Sequence, residues 1–482
     1  MFLKFISTAS CRASQLSLFC SVLFLTIKPV VAEEDALEPM RQIMASKLVS
    51  QQDLPDLSGG EADPALARVP DVLDINQAVQ RAVQWHPDVG EAIGKMLQQV
   101  DAVDVAKAKY YPQISAGMNN GISNTYTNHG YSPSFVLSVS QMLYDFGKVS
   151  SSVRAAEAGV AREQASVLLS IDTVAHETAI ALVEVQAYQQ LVKIAQEQVV
   201  SLNKIGDLAR VRSEQGAASL SEAAQTDARI EGARTTLTQY QASLDRWRAT
   251  LATYLGWPMV RTVSDEFPVN LTKSCQVAGA DDHLIPEVLA AWAQANQAQA
   301  QLDNTTAQMM PTISFEPEVT HYLNDHYSNS AMLDRTQYSA NLKVEMPLYQ
   351  GGGLRASRRA AAHALRAANA AVHSAQLNAR QKLSESQSQA QSLTLSLAIQ
   401  SRQQALGEKT QQLYQEQYLQ LGSRPLLDVL NAEQELFQTR FSRQQAVSQL
   451  RTLQLDCLYS TGQMRSGFAL NNQRIQSVEI QQ

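Results

Sequence analysis

The stretch YSANLKVEMPLYQGGG, residues 338–353, decides the fold. Tyr338, Ala340, Leu342, Val344 and Met346 alternate with Ser339, Asn341, Lys343 and Glu345. Such alternation makes a strand with one apolar and one charged face. The strand runs into three glycines, and no proline follows until Pro425. Helices of ordinary domains run about 8–20 residues, so a strand that opens onto a helical pattern this long belongs to another architecture.

The rest of the chain repeats this plan. KAKYYPQISAGMNN (107–120) resembles TTAQMMPTISFEPE (305–318), and LSVSQMLYDFGK (137–148) resembles LKVEMPLYQGGG (342–353). EQGAASLSEAAQTDARI (214–230) resembles QLGSRPLLDVLNAEQEL (420–436), and YLG ending at Gly256 matches STG ending at Gly462. The four blocks keep one order at a spacing of about 200 residues, the mark of an internal duplication. The repeats span 73–256 and 281–462, with a connector at 257–280. Each reads as a helix ending at a proline (Pro112, Pro311), two strands, a very long helix, a glycine turn and a returning helix.

The long helices are expected at about 147–212 and 353–421. In the first, Ile171, Val174, Thr178, Ala181, Val185, Tyr188, Val192, Ala195, Val199 and Leu202 recur at steps of three and four. That is a coiled-coil seam, and 66 residues of α-helix extend roughly 100 Å. Gly216 and Gly422 mark the hairpin turns, since glycine suits the left-handed residue after a helix. Ser219 with Glu222 forms a capping box, and Ser423 followed by Pro425 reads as a second helix start.

Strands are expected at about 112–122, 134–144, 311–323 and 337–348. Phe135, Leu137, Val139 and Leu143 share a face against Ser138, Ser140 and Met142; Ile313, Phe315 and Val319 oppose Thr312, Ser314, Glu316, Glu318 and Thr320. Periodicity leaves two readings open, a half-exposed sheet on a soluble domain or a membrane barrel with its polar face toward a lumen. Strands of about 9–11 residues suit the second, and the exported leader and long helices favour it. Four strands do not close a barrel, so several copies must share one.

The leader is residues 1–32. Lys4 and Arg12 precede an apolar run from Leu16 to Ile27, and Val30-Val31-Ala32 supplies a cleavage site. Its removal takes away Lys4, Arg12 and Lys28 and no anion, making an already acidic chain (net charge −7) more so. A generic nucleic-acid surface is thereby disfavoured. Cys20 follows Phe19, a poor lipid-attachment pattern. Cys275 and Cys457 remain, and two cysteines make no disulfide framework; free thiols are expected, with a single bridge the alternative. Residues 33–72, with four prolines, and 463–482 are expected to be poorly ordered.

Enzyme signatures are absent. QGGGLR (350–355) lacks the Lys-Ser/Thr of a phosphate loop. His176-Glu177 has Ile180 where a zincin has histidine, and no Gly-x-Ser-x-Gly elbow occurs. His321 and His326 lack a third ligand, and no cofactor is expected.

The ordered set of blocks resembles the TolC-type outer-membrane efflux proteins over about 73–462. AVQWHPDVGEA (82–92) is similar to that family's A-x-x-x-N-P helix start, with His86 in place of asparagine. VSQMLYDFGK and VEMPLYQGGG resemble its Q-P-L-F-D-x-G block, and GSRPLLDVLNAEQEL its G-x-x-x-x-x-D-V-L-x-A tip. The resemblance implies a mainly α protein with a membrane β-barrel. Three copies would share a 12-stranded barrel in outer-membrane lipid, continued by a periplasmic helical tunnel. It implies a homotrimeric exit duct that works with a periplasmic adaptor docked on the tips at Gly216 and Gly422 and with an inner-membrane ABC exporter. Export of a protein such as a large adhesin is the expected cargo; multidrug efflux and a pore-less periplasmic scaffold are the alternatives. Ser138, Ser140, Glu316, Glu318, Lys343 and Glu345 would face the lumen. Asp428 falls on an entrance-ring aspartate and Asn431 replaces the second, halving that ring's charge. Arg424, Ser221 and Glu222 fall where the family places entrance latch bonds. Apart from the resemblance, Asp428 reads as a charge favouring a helix N-terminus and Glu222 as a cap residue.

Overall fold

A computed structural model describes residues 69–125, 128–215, 219–276, 279, 281–327, 330, 332–421, 423–476 and 478–479. All lie within the compact unit Leu57–Gln482. The leader at 1–32, nearly all of 33–72, and both tip glycines, Gly216 and Gly422, lie outside the described residues.

Strand β1 (Val72–Leu73) enters helix α1 (Ile75–Trp85), then α2 (Pro87–Lys107). His86 between them is the N-cap of α2: its Nδ1 accepts from the Asp88 N–H at 3.3 Å, and Pro87 occupies the first turn. The imidazole thus does what asparagine would do there. Strand β2 (Gln113–Asn119) is followed by a small hairpin, β3 (Ile122–Thr125) and β4 (Asn128–Tyr131), in a segment read from sequence as strand end and polar loop. Strand β5 is Ser134–Tyr144.

Asp145, Phe146 and Gly147 turn the chain from β5 into α3 (Lys148–Glu214), 67 residues and about 100 Å long. Asp145 is buried and accepts from the N–H groups of Gly147 (3.0 Å) and Val149 (2.6 Å), while Gly147 takes a left-handed φ of 93°. These two contacts are the physical content of the D-x-G motif. Helix α4 (Leu220–Leu255) returns from the tip. Ser219 is its N-cap, accepting from the Glu222 N–H at 3.4 Å.

After β6 (Thr262–Val263), which pairs with β1, and the short α5 (Val269–Thr272), the second repeat begins with α6 (Pro286–Ala307). Strands β7 (Thr312–Tyr322) and β8 (Thr336–Glu345) follow. Gly351 and Gly352 are left-handed at the entry of α7 (Gly353–Glu416). The α-helix expected to run to 421 changes register at Gln417: Gln417–Leu421 form a π-helical turn. Helix α8 (Leu426–Ser460) returns, and its N-cap is Pro425, not Ser423.

Helices pack side by side in two rows. Near the strands the order is α2–α3–α6–α7; toward the tips α3 lies against α4 and α8, and α8 against α7. The main core gathers Val79, Ile171, Leu182, Leu251 and Leu455 where α1, α3, α4 and α8 meet. Two expectations are corrected here. The stretch 463–482 is built into that core where described: α9 (Met464–Gly467) and the β9–β10 pair (Arg474–Ile475, Val478–Glu479) bury Met464, Phe468, Leu470 and Ile475. Those spaced apolar residues outweigh its polar composition. Cys275 and Cys457 form a disulfide rather than free thiols. The connector is already held there, with Ser274 donating to the Gln454 carbonyl and Gln454 to that of Thr272, so the two sulfurs meet.

Candidate functional site

The first candidate region is an antiparallel sheet in the order β2-β5-β7-β8. Its register aligns the alternation of all four strands. On one face Ile114 pairs with Val139, Ala116 with Leu137, Leu137 with Val319, Val319 with Tyr338, and Phe315 with Leu342. On the other, Ser115 pairs with Ser138, Ser138 with Glu318, Glu318 with Ser339, Glu316 with Asn341 and Ser314 with Lys343. A bulge between Met142 and Tyr144 sets Tyr144, rather than Leu143, opposite Ile313.

Polar residues satisfy one another on their own face. Ser115 and Ser138 hydroxyls are 2.7 Å apart, and Ser314 donates to Glu316 at 2.8 Å. Lys343 lies 2.9 Å from Glu345 and 3.8 Å from Glu316, and at the strand–helix joint Lys148 donates to Thr312 at 2.6 Å. Ser140 sits on this face opposite Gln113. Much of the apolar face is left uncovered by the described residues; Leu342 is 66% and Ile114 70% exposed. Among the described residues neither edge strand, β2 or β8, has a second partner strand.

The second region is the tips. Arg424 donates to Asp428 at 3.0 Å and to Gln417 Oε1 at 3.0 Å, and its guanidinium lies 4.2 Å from the Tyr414 ring centre. The guanidinium is therefore engaged within its own hairpin. No hydrogen bond joins Arg424 to Ser221 or Glu222 among the described residues. The Ser221 hydroxyl lies 2.8 Å from that of Ser219, beside the cap that Glu222 completes. Asn431 accepts from Arg229 of α4 at 3.4 Å, a link between hairpins.

Sequence reasoning missed the stronger link. Arg212, in the last turn of α3, donates to the Tyr418 carbonyl at 2.8 Å and stacks 4.5 Å from that ring's centre. The π-helical turn releases this carbonyl from the regular ladder and drives the ring into a core with Leu202, Ile205, Leu426 and Leu430. Burial pushes the Tyr418 phenol up, with Arg212 opposing and Glu222 adding to the rise. A one-residue register change inside a helix leaves no strong mark on apolar spacing, so only the geometry reveals it.

No group of three or more His, Cys, Asp or Glu could hold a metal ion among the described residues. His176 faces Asp456 at 2.8 Å, and His321 faces Thr336 at 2.8 Å.

A sequence model of the family described as "Outer membrane efflux protein" matches residues 78–257 and 285–456. The chain is 24% identical over 375 residues to the outer membrane efflux protein BepC of Brucella suis biovar 1 (strain 1330), covering 76% of this chain and 80% of that protein. It is 22% identical over 389 residues to nodulation protein T of Rhizobium leguminosarum bv. trifolii, covering 77% and 81%. Among solved structures it superposes on the outer-membrane channel OprN (TM-score 0.72, 18% identity, 80% of this chain and 89% of that one). It also superposes on the outer membrane protein VceC of Vibrio cholerae (TM-score 0.69, 17% identity, 80% and 96%). The fold is theirs.

Proposed function

The chain belongs to the outer membrane efflux protein family, and from that premise we propose that three copies close one 12-stranded barrel as the exit duct of a tripartite export system. It is an outer-membrane protein and not an enzyme. One observation carries the trimeric duct: a four-stranded sheet with one mostly apolar face, one mostly polar face and two edges unpaired among the described residues. In lipid such edges must be paired, and a closed barrel is the strand structure that does so. Joining β8 of one copy to β2 of the next puts the apolar face toward lipid. Ser138, Ser140, Glu316, Glu318, Lys343 and Glu345 then face a wet lumen.

The helices continue the wall as a periplasmic tunnel. A periplasmic adaptor docks at its tips, around Gly216 and Gly422, and an inner-membrane ABC exporter supplies the energy. For cargo, protein export of the adhesin type is our first reading, because Cys20 after Phe19 is a poor lipid-attachment pattern and many drug-efflux ducts are lipidated. Small-molecule efflux is the second, favoured by the relative that is itself named an efflux protein. Comparing surface and secreted proteins with drug sensitivity in a deletion strain separates the two.

The duct itself is tested by light scattering in detergent and by planar-bilayer conductance: a trimer with a single-channel current is expected. A monomer that stays soluble without detergent would overturn it, and with it exclude the barrel in favour of a scaffold. At the entrance, Asp428 supplies one carboxylate per copy, Asn431 none, and Arg424 offsets Asp428 within the same hairpin. Arg424→Ser therefore raises both conductance and cation preference, while Asp428→Ala lowers cation preference. Arg424→Ser channels indistinguishable from wild type would remove the pair, and the latch role of Arg424 with Ser221 and Glu222, from the entrance.

A further inference from the structure

The helix row near the strands has two free edges of opposite charge. Helix α2 packs on α3, and α7 packs on α6 and α8; among the described residues α2 and α7 form no substantial contact. On α7, the first part after the glycines carries Arg355, Arg358, Arg359 and Arg366. All four are exposed. None of their guanidinium groups has a hydrogen bond or ion pair among the described residues. Arg359 and Arg366 stand one heptad apart, opposite the face that buries Ala361 and Ala368. On α2, Asp101 and Asp104 are exposed and likewise unpaired among the described residues. They lie opposite buried Val103 and Ala106, in a stripe with exposed Leu97 and Val105.

We propose that these two edges dock on each other between successive copies, so that Asp101 and Asp104 of one subunit clamp Arg359 and Arg355 of the next just beneath the barrel. The occupant of each edge is a second copy of this chain, and the proposal rests on the trimeric reading above. Three features of the molecule select it. Helix α2 leads into edge strand β2, and α7 leaves edge strand β8. When β8 pairs with the next copy's β2, the two helices emerge side by side and run antiparallel. Second, the levels agree. Asp101 lies six residues before the end of α2, and Arg359 six residues after the start of α7, each about 9 Å from its own helix end. Asp104 and Arg355 lie three and two residues from the same ends. Third, the cations of α2 do not displace the clamp. Lys107 and Lys109 come level with the glycine turn, where α7 carries no charge, and Lys95, level with Arg366 on the same count, is held by Glu91 on α2 itself.

A head-to-tail contact of this kind closes into a ring. Charge here sets which edges meet: two α7 edges, or two α2 edges, would face like charges. Exposed ion pairs contribute little singly, so the clamp chooses partner and register while the apolar stripes and the strand pairing supply most of the affinity.

The test uses the full chain in detergent. With Asp101→Cys and Arg359→Cys in one chain, mild oxidation should give covalent dimer and trimer bands, since Cys275 and Cys457 are already bonded to each other. Arg359→Glu and Asp101→Arg should each lower the cross-linked and trimer fractions, and the double reversal should restore them. A trimer by light scattering that neither cross-links nor responds to the reversals would overturn the clamp and leave the trimeric duct standing. A monomeric wild type would overturn both. If the double reversal fails to rescue, and Arg359→Glu instead loses flotation with phosphatidylglycerol vesicles, the arginines serve lipid headgroups and the clamp is overturned.

Discussion

Helices α3 and α7 are the same part in two repeats, yet one is interior and the other an edge. Helix α3 is flanked by α1, α2, α4, α6 and α8; α7 touches α6 and α8. Position by position the contrast reverses ordinary expectation. Twenty-four residues into α3 stands Asp172, 1% exposed; twenty-four residues into α7 stands Leu377, 65% exposed. An 18-residue window of α3 is apolar enough to cross a membrane (mean hydropathy 1.4), but over half of it is buried against protein. Duplication copied the element and not its surroundings. The apolar residues left open on α7, Leu377, Leu395, Ile399 and Leu406, are the side of the part that a single chain does not cover.

The repeats are most alike at their last joints, so that is where the comparison breaks most easily. Gly256 (φ 64°) and Gly462 (φ 68°) both end a long return helix in the left-handed region. A Cβ on Gly462 would lie 2.2 Å from the Leu284 carbonyl oxygen; on Gly256 it would lie 2.2 Å from the Trp85 ring. Gly462→Ala must displace backbone and should cost about 4 kcal/mol or more, read as loss of folded protein in the membrane fraction. Gly256→Ala should cost less, because a side-chain ring yields more readily than a carbonyl. Equal tolerance of both would mean the left-handed joints are dispensable.

The interior–edge contrast predicts opposite readouts for matched truncations. Leu182→Ala, in the fully buried stretch of α3, should lower stability by about 2–5 kcal/mol. Leu377→Ser should leave the single chain's folding within about 0.5 kcal/mol while reducing the trimer fraction by light scattering. A Leu377→Ser protein that melts as early as Leu182→Ala would put Leu377 inside a core and cancel the distinction.

Much of this was legible without coordinates because period is legible. Strict alternation in residues 338–345 placed Lys343 and Glu345 on one face, and the 3–4 stepping from Ile171 to Leu202 gave α3. What stayed hidden had no period. The bond between Cys275 and Cys457 depends on a connector lying on α8, set by Ser274 and Gln454. The tail 463–482 is polar on average, and a few well-placed apolar residues bury its described part. The sequence assigns Arg424 and Asp428 to two devices, a latch and a ring; the turn that brings Arg424, just before the Pro425 cap, back over the first turn of α8 makes them one pair.

Asp172 offers a subtler test, in pH. Burial pushes its carboxyl up from 3.8 to about 7, with the Arg465 guanidinium at 3.3 Å opposing. Glu287, Lys382 and Tyr459 line the small cavity beside it. The folded state therefore holds a proton that the unfolded chain releases near pH 4. Between about pH 4 and 7 the folded form binds more protons, so this group's contribution falls as pH rises, by a few kcal/mol at most. Asp172→Asn should flatten the decline of melting temperature from pH 5 to 8. An unchanged slope would mean that Arg465 keeps the carboxylate ionised throughout. Leu377, its counterpart on α7, should show no such dependence when replaced.

The smallest difference between the repeats is at their first helix entries. Each puts proline in the first turn, but α2 has a side-chain cap, from His86, and α6 has none. Ile285 stands at the equivalent cap of α6 and is buried against Val288 and Ala379. One entry is held by a hydrogen bond, the other by apolar packing. His86 also stacks 5.6 Å from Tyr254, so two substitutions separate its parts. His86→Asn keeps the cap and loses the stack; His86→Phe keeps a ring and loses the cap. If the cap matters, His86→Phe should melt earlier by the equivalent of about 1 kcal/mol, with His86→Asn within a few tenths of wild type. The reverse order would assign the entry to ring packing in both repeats, and α2 and α6 would then begin for the same reason.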